Sequence, residues 1–132
     1  YLALVWGEIS QPAGRFSNPL APDPEDRRKM RVHPSGKRAA TRYQILASTK
    51  AASFAEVALE TGRTHQIRVH CKYNNHPIIG DFQYAGRKTA RADRLWAPRV
   101  MLHAWKVSFL HPVHHSELAI EAPVPDDMKS II

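Results

Sequence analysis

The chain has 132 residues, 43% of them hydrophobic and 23% charged, and 19 basic against 12 acidic residues give a formal net charge of +7. This length suits one domain at most, and no apolar run approaches the roughly 20 residues that cross a bilayer. A single cysteine excludes an internal disulfide, so we expect a soluble, cytoplasmic protein, not bound to membranes, whose positive charge favours a polyanionic partner.

Residues 1–7 predict a strand, because Leu2, Leu4 and Trp6 alternate with small or polar residues. The chain starts on Tyr1 as though it entered this strand partway. We therefore expect the strand to lack upstream neighbours and to leave unpaired amides and apolar surface at a sheet edge. Residues 10–36 hold five prolines and two glycines, which predicts a long loop or arm of the kind that often carries function.

Basic residues cluster in three stretches between apolar segments. They are Arg27, Arg28, Lys29 and Arg31; then Lys37 and Arg38; then Arg87, Lys88, Arg91 and Arg94. Such stretches can line a groove for RNA, and the alternative is that each is an ordinary solvated loop.

The middle of the chain predicts strands at residues 40–47 and 53–60, the second with Ala55, Val57 and Leu59 on one face. Gly62 ends this strand, since glycine takes a positive φ at no steric cost and allows a sharp turn. Thr64 is a good N-cap for a helix over residues 64–73.

On that helix, Ile67 and Cys71 form an apolar seam, while Arg68 projects from another face. An arginine near the start of a short helix has little rotational freedom, which suits bidentate pairing with a carboxylate or phosphate. The alternative is a solvated helix face in a basic protein.

Towards the C-terminus, the pattern predicts strands at residues 105–110 and 117–121 and a helix at 126–131, capped by Asp126 or Asp127. Residues 86–99 form a basic, weakly patterned connection. Strands that follow one another with few crossover helices predict an α+β fold, with a mixed, mainly antiparallel twisted sheet and flanking helices.

The eight histidines raise the possibility of a metal site. His65 and His70 are five residues apart, an awkward spacing for one helix face, and no carboxylate or thiolate cluster completes a ligand set. A metal site is therefore the weaker interpretation.

The run Thr-Gly-Arg-Thr-His-Gln-Ile-Arg-Val-His at residues 61–70, then His-Pro-Ile-Ile-Gly-Asp at 76–81 and Tyr84, resembles the signature of the RluA-type family of RNA pseudouridine synthases. Other segments from Tyr1 to residue 128 are similar to that family in order and spacing. The resemblance implies isomerisation of uridine to pseudouridine in ribosomal or transfer RNA, with no metal or organic cofactor.

The resemblance also assigns site residues. Tyr1 occupies the place of a tyrosine that enters the active site and stacks on the base, and Arg68 that of the arginine that pairs with the catalytic aspartate. The substrate-binding residues expected around them are Arg63, Thr64, His65, Gln66, Arg28 and Lys29.

The family's nucleophile is an aspartate in a His-Arg-Leu-Asp segment upstream of the tyrosine strand, and no aspartate of this chain has that context. We therefore expect residues 1–132 to be the C-terminal portion of a single catalytic domain, inactive alone, in which Arg68 has lost its partner. The missing half or a second copy would then be a partner besides RNA. The alternative is a non-catalytic basic RNA-binding fragment or paralogue, although the chain lacks an Arg-Gly-Phe or zinc-knuckle signature.

Overall fold

The computed structural model describes all residues from 1 to 132 and contains nine strands and three helices. The strands are β1 Leu2–Trp6, β2 Ala13–Phe16, β3 Leu20–Pro22, β4 Met30–Val32, β5 Thr41–Ser48, β6 Ala52–Leu59, β7 Leu102–His103, β8 Lys106–Leu110 and β9 Glu117–Glu121. The helices are α1 Gln66–Tyr73, α2 Arg87–Asp93 and α3 Asp126–Lys129.

Five strands form the main sheet in the order β2-β5-β6-β1-β7, while β3–β4 and β8–β9 are separate two-stranded hairpins. Every pairing between these strands is antiparallel. The α+β fold with a mainly antiparallel sheet, predicted from the sequence, is therefore confirmed.

Strand β1 lies inside the sheet rather than at an edge. It pairs with β6 along its whole length, with β7 at Leu2 and Ala3, and with the 77–79 segment further along, where Val5 bridges to Ile78. Leu2, Ala3 and Val5 are buried. The expectation that this strand leaves unpaired amides at a sheet edge is thus wrong, because segments from the second half of the chain fill its open side.

Helix α1 packs its apolar seam onto the sheet, as the sequence predicts: Ile67 and Cys71 both belong to the main core. Its start differs from the prediction. The helix begins at Gln66, and no side chain caps it at His65, which has a left-handed backbone conformation with φ of 55°. Thr64 is therefore not the N-cap, and the positive φ predicted for Gly62 falls on His65 instead.

Three further segments differ from the sequence prediction. Residues 10–36 are not one irregular arm, because β2, β3 and β4 lie within them. Residues 86–99 contain helix α2, whose Ala90 and Asp93 are buried. Neither predicted cap of α3 forms, since Pro125 is at the N-cap and makes no side-chain hydrogen bond there. None of the helices is long and apolar enough to cross a membrane.

Candidate active site

The first turn of α1 carries Arg68, whose guanidinium is held by a buried carboxylate. Its Nε donates to Oδ2 of Asp81 at 2.9 Å and its Nη2 donates to Oδ1 at 2.7 Å. Nη2 also donates to Oε1 of Gln83 at 2.8 Å. The Asp81 side chain is fully buried and that of Arg68 is 17% exposed. The hydrogen bonds to Asp81 raise the pKa of Arg68 above its ordinary value.

This pairing corrects the expectation that Arg68 has no partner within the chain. A guanidinium has five N–H groups, and the contacts to Asp81 and Gln83 use the one on Nε and both on Nη2. Only the two N–H groups of Nη1 are without an acceptor. An external acceptor can therefore bind only the N–H groups of Nη1, because Asp81 already occupies the bidentate pair of Nε and Nη2.

The 77–81 segment places Asp81 because it is hydrogen-bonded to β1. The amide of Trp6 donates to Pro77 O at 2.9 Å and that of Ile79 donates to Leu4 O at 3.0 Å. The chain then turns at Gly80, with φ of 78°. A Cβ there would lie only 2.1 Å from the carbonyl oxygen of Arg99, so the turn requires glycine.

Tyr84 covers the other face of the arginine, with the Arg68 Cζ atom 4.9 Å from its ring centroid. Its hydroxyl accepts from the amide of Met30 at 3.0 Å and lies 2.6 Å from Nδ1 of His65. The Nζ atom of Lys29 approaches the same ring at 6.0 Å. One phenol thus joins the β3–β4 hairpin to the start of α1. Burial, followed by the positive charge of Arg68, lowers the pKa of His65.

The turn between β6 and α1 is held by the side-chain amide of Gln66, which is 2% exposed. Its Oε1 accepts from Thr61 Oγ1 at 2.7 Å and from the Arg63 amide at 3.0 Å. Its Nε2 donates to Ala40 O and to Thr41 Oγ1, both at 2.9 Å. Both donor N–H groups and both acceptor positions of this amide are used inside the protein. Gln66 therefore supports the turn and has no donor or acceptor left for a ligand.

A buried hydrogen-bond chain continues from there through His70. Oγ1 of Thr41 lies 2.8 Å from Nδ1 of His70, and Nε2 of His70 lies 2.8 Å from the carbonyl oxygen of Asn18. A carbonyl can only accept, so Nε2 carries the proton and Nδ1 accepts from the threonine hydroxyl. Burial lowers the pKa of His70, which favours this neutral form.

A cavity of about 200 Å³ opens beside this arrangement, and both residues given catalytic roles by resemblance line it. Its wall consists of Tyr1, Leu59, Arg63, His65, Gln66, Ile67, Arg68 and Leu102. Tyr1 reaches it because its backbone pairs with Val57 of β6, through Tyr1 N to Val57 O at 2.8 Å and the reciprocal bond at 2.8 Å. No carboxylate lines this cavity.

The other predicted substrate-binding residues lie in different places. Arg63 and Thr64 line a second, neighbouring cavity, and Lys29 lies near Tyr84. Arg28 is directed to its own loop, where it forms two hydrogen bonds of 3.0 Å with Asp26 and lowers the pKa of that carboxyl to about 2. No group of three or more potential ligand side chains could hold a metal ion.

Three residues of the site, Asp81, Gln83 and Tyr84, received no role from the sequence. For Asp81 a signal was present, because it follows the apolar pair Ile78 and Ile79 after a single glycine, and a carboxylate that is buried there needs a partner.

Comparison with known proteins identifies the family. The family model described as RNA pseudouridylate synthase matches residues 1–73. The uncharacterized RNA pseudouridine synthase YlyB of Bacillus subtilis is 40% identical over all of this chain, and so is the ribosomal large subunit pseudouridine synthase D of Nitrosomonas europaea. The structure of human RNA pseudouridylate synthase domain containing 1 superposes with a TM-score of 0.79 at 30% identity, covering 94% of this chain and 53% of that one.

The chain belongs to the RNA pseudouridylate synthase family, as its sequence motifs predict. It spans 42% and 39% of the lengths of the two bacterial relatives.

Proposed function

We propose that this chain supplies the arginine and tyrosine side of the active site of a cytoplasmic RNA pseudouridine synthase that acts on ribosomal or transfer RNA. In this proposal the chain is the C-terminal portion of the catalytic domain, and the nucleophilic aspartate comes from a segment outside it. One observation supports the proposal above all. Arg68, which is fixed by Asp81 and keeps the N–H groups of Nη1 free, lines the cavity that Tyr1 also lines.

The cavity suits an extruded base. A uridine in folded RNA must leave its stack before the glycosidic bond can react, at a cost of a few kcal/mol. Tyr1 is 39% exposed and offers a ring for stacking, with Leu59 and Leu102 as apolar walls. Stacking on an aromatic side chain contributes about 1–3 kcal/mol per base, enough to offset much of that cost.

Arg68 then acts on the incoming carboxylate. A positive charge within reach lowers the pKa of a carboxyl, so the aspartate would stay ionised and ready to attack the nucleoside. Because Asp81, Gln83 and Tyr84 already fix the guanidinium, its orientation needs no rearrangement during the reaction. His65 lies at the same wall through its contact with Tyr84.

Tritium release from RNA carrying uridine labelled at C5 tests the proposal. We expect no release above background from the 132-residue chain alone, and release from a longer protein that includes the upstream segment. In the longer protein, Arg68→Lys should lower the rate by about 10²- to 10³-fold, as loss of one preorganised donor does. Arg42→Lys is the matched control, since this exposed β5 arginine forms no ion pair. Turnover by the short chain, or equal rates for the two variants, would refute the proposal.

The second candidate is a non-catalytic RNA-binding fragment or paralogue. It is favoured by the lack of a carboxylate in the cavity, together with the formal charge of +7. Salt-dependent RNA binding that never gives turnover, even in the longer protein, would support it.

A further inference from the structure

A second cavity, of about 480 Å³, lies between the β3–β4 hairpin and the turn at residues 62–64. Its wall has three hydrophobic residues among ten and no acidic one: Leu20, Ala21, Pro22, Met30, Ser35, Gly36, Lys37, Gly62, Arg63 and Thr64. Two of these residues are cationic. An acid-free wall with two cations favours an anion.

Four residues of this wall keep hydrogen-bond donors that have no acceptor within the chain. Lys37 is exposed and forms no ion pair or side-chain hydrogen bond. Nε of Arg63 donates to the carbonyl oxygen of Arg38 at 3.0 Å, which anchors the guanidinium and leaves both terminal nitrogens without a partner. The amides of Gly62 and Thr64 donate to no acceptor within the chain. Several free donors on residues that line one cavity suit the oxygens of a phosphate.

Arg63 connects the two cavities, because it lines this one and also the cavity that Tyr1 and Arg68 share. A strand of RNA with its uridine base in the smaller cavity would pass Arg63 on the way to the larger one. At 480 Å³, the larger cavity exceeds the needs of a bare phosphate, and Leu20 and Met30 give it an apolar side for a ribose or base.

We propose that this second cavity binds the backbone phosphate of a nucleotide that flanks the extruded uridine, with Lys37 and Arg63 as its cationic ligands. The inference rests on the proposed function and adds to it a subsite, with Lys37 as a residue that contacts substrate. Because the contact is to the phosphate, it positions the RNA without reading its sequence.

The test measures binding of a short single-stranded RNA by fluorescence anisotropy at 50 and 200 mM salt. Each phosphate contact contributes about 0.7 to the slope of log K against log salt for single strands. Lys37→Gln should lower the slope by about that amount, so its loss of affinity over this fourfold salt range should be about 2.6-fold smaller than that of the parent. Lys50→Gln is the matched control. This substitution removes the same charge, and Lys50 is an exposed residue of the β5–β6 turn that lines neither cavity.

Lys37→Gln should fold normally, since its side chain has no partner, and an unchanged urea midpoint would verify this. Equal slopes for the two lysine variants would overturn the subsite. If the longer protein nevertheless released tritium normally, the proposed function would stand while this inference fell.

An amide-resolved NMR titration with inorganic phosphate separates the RNA backbone from free phosphate as the source of the ligand. Millimolar phosphate that shifts the Gly62 and Thr64 amides, and is displaced by RNA, supports the proposal. Micromolar phosphate binding that RNA does not displace would show a site for free phosphate and refute it.

Discussion

Replacing Asp81 by asparagine removes the charge that holds Arg68 while keeping the shape of the side chain. The substitution removes one of the two carboxylate acceptors at 2.7 and 2.9 Å and leaves a guanidinium that is only 17% exposed without a counter-charge. The backbone amides of Gln83 and Tyr84 donate to Oδ1 at 3.2 and 3.3 Å, and these hydrogen bonds weaken when the carboxylate becomes a neutral amide.

Breaking one side of a buried ion pair costs about 3–5 kcal/mol. We take the lower end, because the Arg68 side chain lines a cavity and is partly exposed, so that water can reach it. The unfolding entropy of a 132-residue domain is about 0.28 kcal/mol per degree at roughly 2.1 cal/mol/K per residue, so a loss of about 3 kcal/mol lowers Tm by about 11 °C. Out of a total stability of about 5–15 kcal/mol, this is a large fraction.

Urea unfolding of the parent, Asp81→Asn, Arg68→Met and the double variant gives the coupling energy between the two side chains. We expect Asp81→Asn to lower the midpoint strongly and the double variant to lose much less than the sum of the single losses. Asp126→Asn is a matched control, because its carboxylate is exposed and lies 3.9 Å from Lys129. A coupling energy below about 0.5 kcal/mol would refute the reasoning, since independent sites add within that limit.

Three further outcomes are expected. Burial raises the pKa of the Cys71 thiol to about 12, so a disulfide reagent at pH 8 should react with it only after unfolding, and rapid reaction of the native protein would contradict this. Gly80→Ala should lower the free energy of unfolding by more than about 2 kcal/mol, since the new Cβ would combine a φ of 78° with a clash against the backbone. Gly62→Ala, whose Cβ would meet nothing within 4 Å, should change it by no more than about 0.5 kcal/mol. Calorimetry compares the two variants. The pKa of His70 is lower in the folded protein than its value of about 6.5 in the unfolded chain. Neutral His70 therefore contributes fully to the free energy of unfolding above about pH 6.5, and this contribution is lost as the pH falls from about 6.5 towards the folded-state pKa. His70→Gln should flatten the fall in stability below pH 6.5, and His114→Gln in the exposed β8–β9 turn should leave it unchanged.

Local pattern predicted the strands and helices with a clear period, because period and turn chemistry act over few residues, but it missed β2, β3, β4 and α2. The strand ending at Leu59, the helix carrying Arg68 and the seam of Ile67 with Cys71 all follow from such patterns. Pairing over long sequence distances was beyond these patterns. On the side of β1 that faces away from β6, its neighbours come from residues more than 70 positions away, and their identity depends on how the whole chain packs.

The site shows the same division. The motif placed Tyr1 and Arg68 at one cavity, yet the partner of the arginine was sought outside the chain, because Asp81 belongs to a different motif segment. Only the turn at Gly80, set by hydrogen bonds to β1, brings that carboxylate under the helix. The roles assigned to Tyr1, Arg68 and the surrounding residues remain predictions for the experiments above.

The chain of hydrogen bonds from Gln66 through Thr41 and His70 to Asn18 has one direction, with each donor pointing towards the carbonyl at its end. Members of such a chain cannot be exchanged singly without stranding a polar atom in the interior, so viable variation at these positions should come in matched pairs. The three members that take part through their side chains, Thr41, Gln66 and His70, would therefore change together over evolutionary time.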